Sequence, residues 1–311
     1  MILTVTLNAA LDVTYRVPTL VPGGTHRATP TGARAGGKGV NVARVLHTLG
    51  HDTVATGFAG GETGRAIRDD LAAAGIREAL VEPTAPARRT VTVVSEEDGS
   101  ATAFNELGPQ LSIEDWTRFT ARYQELASRA DVVVLSGSLA PGLPDHAYPQ
   151  LIGATTTPTI LDTSGAPLVD GVTAHPHVVK PNAEELAQAA ARGHDAEDPL
   201  SAARRLRALG AGAVIASLGA GGLLAVTADG CWRAAAPEPI LGNPTGAGDA
   251  CVAALAAGLA AGTPWPELLA DAVALSGAAV ACPLAGDVDL PTYRRLAPLV
   301  VVEVLDADPD R

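Results

Sequence analysis

Lysine is nearly absent from this 311-residue chain: Lys38 and Lys180 are the only two, and arginine supplies the other basic residues. Acidic residues outnumber basic ones, 34 to 22, for a formal net charge of −12. That balance argues against nucleic acid or an anionic membrane as the main partner. A phosphorylated ligand must therefore meet positive charge concentrated locally, and both lysines sit in turns containing glycine or asparagine rather than on helix faces. Cysteine is scarce too. Cys231, Cys251 and Cys282 are odd in number, far apart and set in apolar surroundings, which fits reduced, buried thiols in a cytoplasmic protein rather than a disulfide framework or a zinc site. No basic segment precedes the first apolar run, Ile2–Leu7, so that run reads as a strand and not as a signal peptide. The longest apolar stretches are Ala- and Gly-rich, broken by polar residues, and short of the ~20 residues that cross a bilayer. There is no internal repeat, no low-complexity tail and no Pro/Ser linker long enough to separate a pair of full domains. The seven histidines show no metal-ligand spacing. A GxSxG elbow and a Cys/His pair are missing, and with them the usual signals of hydrolysis. The GxxxxGKS/T spacing of a Walker A loop is missing as well.

What is present is a regular alternation of short apolar runs and helical segments. Strands are expected at Ile2–Leu7, Val54–Phe58, Val132–Leu135, Ile160–Leu161, Val178–Val179 and Ala213–Ser217, with a hairpin of Leu223–Val226 and Trp232–Ala235 and an edge strand at Val300–Val304. Helices are expected over Val40–Leu49, up to about Gly75, over Ser112–Arg129, from about Asp145, from Asn182, from Leu200, after Asn243–Ala250, and over Trp265–Ala281. Such βα units predict an α/β fold with a mostly parallel sheet covered on both faces, whose ligands bind at the carboxyl ends of the strands. Residues 8–30 read as irregular, punctuated by Pro18, Pro22, Gly23, Gly24 and Pro30 around a short strand at Val13–Val17. With the hairpin of Thr90–Ser95 and Ala101–Asn105, this predicts a small flap of strands built from about 13–35 and 88–105 on a single domain spanning 1–311. Asp306–Arg311 reads as a frayed acidic tail.

The stretch Asn243-Pro244-Thr245-Gly246-Ala247-Gly248-Asp249-Ala250 runs into an alanine-rich helix. Two glycines let backbone N–H groups converge on one point, and a helix start favours an anion such as phosphate. Asp249 in the first turn could then accept a proton from an attacking hydroxyl. Read alone, the same residues are a glycine turn with an acidic helix start. Gly36-Gly37-Lys38-Gly39 opens another helix, with Asn41 one turn in, able to bond hydroxyls in both directions. Lys180-Pro181-Asn182-Ala183-Glu184-Glu185 follows a short strand; Asn182 and Glu185 have the spacing of a capping box, and could also stand near a Mg²⁺–phosphate cluster. Asp12, five residues past the first strand, could accept bonds from sugar hydroxyls. Arg88 and Arg89 could clamp a phosphate, or be a solvated surface pair. Ser136-Gly137-Ser138 and Ser217-Leu218-Gly219-Ala220-Gly221-Gly222 are further small-residue turns at strand ends.

In this order, these stretches resemble the ribokinase-like sugar kinases, the phosphofructokinase B family, and within it the branch of 1-phosphofructokinase and tagatose-6-phosphate kinase. The resemblance runs from Thr6-Leu7-Asn8 through Gly57-Phe58-Ala59-Gly60-Gly61 and Leu161-Asp162-Thr163-Ser164-Gly165 to Asn243–Ala250. It implies a three-layer α/β/α fold with a β-sheet lid that often clasps a homodimer. It further implies Asp249 as general base, with the Gly246-Ala247-Gly248 backbone stabilising developing charge. Asn182 and Glu185 would organise Mg²⁺ through water, with Lys180, Ser217, Gly219 and Gly221 around ATP. Asp12, Gly36, Gly37 and Asn41 match the sugar-hydroxyl site. Lys38, Arg89 and Ser138 correspond to the region holding the substrate's existing phosphate, joined by Arg27 across a subunit boundary. Ala9 and Ala140 stand where the branch has proline, near the sugar or its phosphate, and put substrate identity in question. Asn105-Glu106-Leu107-Gly108-Pro109 is closer to the 1-phosphofructokinase version. The activity implied is ATP-dependent conversion of fructose 1-phosphate to fructose 1,6-bisphosphate. Tagatose 6-phosphate, fructose 6-phosphate or another sugar are alternative acceptors, and a non-catalytic sugar-phosphate or nucleotide sensor is the alternative of a different class.

Overall fold

Val132, Val133, Val134 and Leu135 are all buried, a pattern that only a strand covered on both faces accommodates. The computed structural model describes residues 1–190 and 198–305. In chain order the first half comprises β1 (Ile2–Thr6), β2 (Ala10–Val17), β3 (Thr29–Gly36), α1 (Lys38–Thr48), β4 (Thr53–Gly57), α2 (Gly61–Ala73), β5 (Arg77–Glu78), β6 (Arg88–Ser95), β7 (Ala101–Asn105), α3 (Ile113–Ala127) and β8 (Val132–Ser136). The second half comprises α4 (Ala147–Gly153), β9 (Thr159–Asp162), α5 (Ala166–Val172), β10 (Val178–Val179), α6 (Ala183–Ala190), α7 (Pro199–Ala208), β11 (Ala213–Ser217), β12 (Leu223–Val226), β13 (Cys231–Ala234), α8 (Ala247–Ala261), α9 (Trp265–Val280), α10 (Leu290–Leu296) and β14 (Val302–Leu305).

Among the described residues the main sheet has ten strands in the order β14-β13-β12-β11-β10-β9-β8-β1-β4-β5. From β11 to β5 neighbouring strands are parallel; β12, β13 and β14 add an antiparallel edge. Alternate residues feed two cores. Leu3, Val133, Leu135, Leu161, Val179 and Val214 pack on one face, and Ile2, Val132, Val134, Ile160, Val178 and Ile215 on the other. This is the period of two that makes one strand serve two helix layers. The second core contains the buried stretch Ala250–Ala256 of α8; a helix apolar on all sides belongs inside. The sequence of strands reverses beside β1, whose neighbours are β4 and β8. The carboxyl ends of strands beside such a reversal are where α/β sheets bind ligands.

A separate four-stranded sheet, in the order β3-β2-β6-β7, projects from this body. It is more regular than the sequence suggested. Ala10–Val17 forms one strand because β6 pairs with it along its whole length, in parallel, while β3 pairs on the other side. Three short elements went unread. β5 is two polar residues held by β4, and α5 and α10 are seven-residue helices with proline near their starts. The last strand starts two residues later than expected, in register with β13. The tail 306–311 lies outside the described residues. Among those described, no helix is long and apolar enough to cross a membrane.

Candidate active site

The site is built on two helix starts. Gly246, the residue before α8, has φ of 91°, in the left-handed region, and a Cβ there would lie 2.9 Å from the Cα of Ala285. Only glycine makes this turn without strain. The turn places Asp249 in the first helical turn with 7% exposure. α1 packs against α8, and from its second turn the buried Asn41 donates Nδ2–H to Asp249 Oδ2 at 2.7 Å. Burial, then repulsion from Asp162, push the Asp249 carboxyl up to about 7, against the Asn41 bond and the attraction of Lys38 and Lys180. A carboxylate poised near neutrality can take a proton from an alcohol at physiological pH.

The two lysines meet next to it. Lys38, at the start of α1, and Lys180, after β10, both approach Asp162 Oδ1, at 3.1 and 3.6 Å. A Cβ on Gly248 would lie 3.5 Å from Lys180 Nζ, so this ammonium sits directly under the first turn of α8. Asp162 is the last residue of β9, and in the sequence it stood out only as one member of a motif. Its partners are far off in sequence, so only the folded sheet reveals it.

At the base of the projecting sheet, a Cβ on Gly36 would overlap the Asp12 carboxylate at 1.9 Å from Oδ2; the absent side chain leaves the space Asp12 fills. Burial raises the Asp12 pKa, while the Thr90 hydroxyl and the charges of Arg88 and Arg34 oppose the rise. The pleat explains these neighbours. Asp12 stands opposite Arg34 and Thr90, and Arg88 precedes Thr90 by two, so all four share one face. Arg89 stands beside Leu11 on the other face and is exposed. It lines a cleft of about 550 Å³ with Glu62, Thr63, Arg88, Glu106 and Leu107, in which Asp12 has no part. Arg88, which also borders that cleft, donates Nε–H to the Asn8 carbonyl at 3.0 Å. Counting strand parity back from Asp12 would have favoured Arg88 over Arg89. Arg34 forms a two-bond ion pair with Asp287, tying β3 to the segment after α9; no sequence signal pointed to it.

The turn after β8 joins this group, because Asn8 Nδ2 donates to Ser138 Oγ at 3.2 Å across the β1–β8 boundary. Arg27 does not join it within one chain. It is exposed in the loop joining β2 to β3, beyond the Arg16–Thr29 pair and at the opposite end of that hairpin from Ala10–Gly36. Ala9 and Ala140 are 1% and 3% exposed and belong to apolar clusters, so their side chains fill core rather than pocket.

On the far side of Lys180, Asn182 and Glu185 form the reciprocal cap that their spacing suggested. The Asn182 N–H donates to Glu185 Oε2 and the Glu185 N–H to Asn182 Oδ1, both at 2.8 Å. Asn182 bridges to Ser217 at the end of β11, whose N–H donates to the Pro181 carbonyl at 3.0 Å. Gly219–Gly221 follow as one 3₁₀ turn. Apart from Arg27 and Arg89, the predicted residues therefore fall into three adjoining groups: Asp12 with Gly36 and Ser138, then Asp249 with Asn41 and the lysines, then Asn182, Glu185, Ser217 and the glycines. Gly36–Lys38 joins the first two and Lys180–Asn182 the last two.

A glycine turn opening a buried helix beside an acid, at the carboxyl ends of a parallel sheet with a small second sheet, defines a kinase of ribokinase-like fold. The comparisons agree. The pfkB family carbohydrate kinase profile matches residues 4–292. Phosphofructokinase-2 from Escherichia coli, solved with potassium, is 30% identical over 96% of this chain and 98% of its own, with a TM-score of 0.91. A possible 1-phosphofructokinase from Thermotoga maritima is 26% identical over 98% of this chain and 100% of its own, with a TM-score of 0.85. The chain belongs to the pfkB family of carbohydrate kinases, whose sugar kinases use ATP.

Proposed function

We propose that this kinase transfers the γ-phosphoryl group of ATP to the free primary hydroxyl of fructose 1-phosphate, giving fructose 1,6-bisphosphate and ADP. The observation that carries the reading is Asp249: buried, bonded to Asn41, poised at about 7 and seated at the N-terminus of α8. Asp249 takes the hydroxyl proton while the acceptor oxygen bonds to the γ-phosphorus and the bond to the ADP oxygen breaks. The N–H groups of residues 246–248 receive the charge that develops on the phosphoryl oxygens. Asp12, Gly36, Gly37 and Asn41 hold the sugar hydroxyls. Lys38, Ser138 and the arginines of the lid base receive the existing phosphate, and Arg88 suits this role better than Arg89 because it shares the Asp12 face. Arg27 could contribute only from a second subunit. Lys180, Ser217, Gly219 and Gly221 border the nucleotide.

Asn182 and Glu185 offer hard oxygen donors at an exposed helix start, and among the described residues no three His, Cys, Asp or Glu side chains form a metal cage. That donor set fits Mg²⁺ held through water. When bound, the ion would neutralise nucleotide phosphate charge. The projecting sheet acts as a lid that excludes water. Its β7 strand is exposed throughout and carries Phe104, 57% exposed, with Leu107 just beyond at 85%; this supports a homodimer made through the lid. Three unpaired thiols, two of them buried, fit a cytoplasmic setting.

Fructose 6-phosphate is the second reading, because the Escherichia coli phosphofructokinase-2, 30% identical, has been solved with that sugar phosphate. Coupled ADP release tests both readings, with Mg·ATP against fructose 1-phosphate, fructose 6-phosphate, tagatose 6-phosphate and free fructose. A kcat/KM for fructose 1-phosphate at least ~10-fold above the others is expected, about 1.4 kcal/mol of preference. Preference for another acceptor would overturn the substrate assignment.

A further inference from the structure

Both lysines of this lysine-poor chain end on one carboxylate. Asp162 is 1% exposed on its side chain, with Lys38 and Lys180 at Oδ1. Ser136, at the end of the neighbouring strand β8, donates to Oδ2 at 3.1 Å. The backbone beneath is fixed, since Ile160 and Leu161 pack into opposite cores.

We propose that Asp162 is the positioning residue of this site, the anchor that holds Lys38 and Lys180 beside Asp249 and the N-terminus of α8; the inference rests on the kinase reading above. A buried carboxylate persists only if paired and hydrogen-bonded. Burial would raise its pKa, yet Lys180, Lys38 and the Ser136 bond hold it below the ordinary carboxylate range. Lys180 needs the anchor more. Its side chain is 4% exposed, and it lies under the positive end of a helix dipole, where an uncompensated ammonium is repelled. Lys38 is 39% exposed, so it can keep Asp162 on one side and meet a ligand phosphate on the other. Asp162 itself touches no reactant. It fixes two cations in place before anions arrive, the preorganisation that makes electrostatic catalysis effective. It also faces Asp249 as a like charge. The other groups facing Asp249 are Asn41 and Lys38 from α1 and Lys180 after β10, with Cys251 on its own helix next to Lys180.

The test exploits the lysine count. With ¹³C-lysine labelling the intact protein gives two side-chain ε-CH₂ signals. In Asp162→Asn both should move, whereas in Glu238→Gln, which breaks the surface Arg295 pair, neither should. Kinetically, Asp162→Asn should raise the KM for ATP and for the sugar phosphate about 10-fold. Asp162 acts on the Asp249 carboxyl more strongly than either lysine does, so its loss should move the acid limb of kcat/KM down even as the lysines shift. A purely structural role would lower activity without moving that limb. Should Asp162→Asn fail to fold, Ser136→Ala carries the question, with both signals displaced and both KM values raised about 3-fold. Unmoved lysine signals, or wild-type KM values with an unmoved limb, overturn the proposal. An inactive wild-type enzyme across the sugar panel would strike only the substrate reading, because the lysine signals report the anchor without turnover.

Discussion

Replacing Asp249 with asparagine separates the chemistry of this site from its fold, and the two should respond in opposite directions. Asparagine keeps the shape but cannot accept the hydroxyl proton. A general base contributes roughly 10²- to 10⁴-fold, so kcat should fall by about that factor, roughly 3–5 kcal/mol in the barrier. The nucleotide dissociation constant should stay within about 3-fold, because Asp249 lies beside the nucleotide groups rather than among them. Stability should rise. The Asp249 carboxyl stands at about 7 instead of 3.8, first because burial disfavours its charge. Between those values the folded protein holds a proton that the unfolded chain has released. Stability therefore declines as pH rises through that window, and the loss is complete above about 7. The rise corresponds to roughly 4 kcal/mol at most. Asparagine has no charge to bury, so Asp249→Asn should match wild type near pH 4 and exceed it at pH 8. For 311 residues the gap is up to about 6 °C in Tm. Steady-state kinetics at pH 8 and calorimetric scans at pH 4.5 and 8 check both halves. Activity within about 3-fold of wild type would remove Asp249 from the role of base. A Tm difference that does not change with pH would refute the buried-charge argument.

Two further substitutions probe Asp12 and Asp249 through a neighbour of each. In Gly36→Ala the new Cβ would lie 1.9 Å from Asp12 Oδ2, so the carboxylate must move. The KM for the sugar phosphate should rise about 10-fold or more, with that for ATP within about 2-fold; an unchanged sugar KM would take Asp12 out of the substrate site. In Asn41→Ala the 2.7 Å bond to Asp249 is lost, and with it a contribution that lowers the Asp249 pKa. The acid limb of kcat/KM should then move up by about half to one pH unit, the opposite sense to Asp162→Asn. A downward shift would contradict the hydrogen bond's role.

The sheet was legible because most of its strands are short, largely apolar runs, and because a strand buried on both faces needs no alternation to be recognised. The turns were legible because glycine density is a backbone requirement written into the sequence. The short elements were not, since β5, α5 and α10 draw their order from neighbours rather than from propensity or period. Asn182 and Glu185 were legible as a cap, and the cap is what the fold contains. What the sequence could not express was convergence across strands. Arg88 and Arg89 are equivalent as text; the pleat alone puts one of them with Asp12. Asp162 looks like the end of an ordinary strand until β8, β9 and β10 lie side by side and bring Ser136, Lys38 and Lys180 onto it.

The same geometry relocates the question of specificity. Ala9 and Ala140 replace prolines of the related branch and suggested a reshaped sugar pocket, yet both are buried in core clusters. A side chain that meets only core atoms cannot discriminate between sugar phosphates by contact. Discrimination must come from groups that can reach a ligand. Of those near Asp12 and Asp249, Lys38 is 39% exposed beside its anchor, and Arg88 is only partly buried, its pKa lowered by burial against the pull of Asp12 and Glu106. Lys38 belongs to the helix start beside Asp249 and Arg88 to the lid base. On the proposed reading, a ketose phosphate with its phosphate between them would present its far hydroxyl to Asp249, while one lacking that phosphate would leave a half-buried arginine without an anion. On that reading the phosphate on the acceptor would be a condition of binding and orientation, which is why free fructose belongs in the substrate panel.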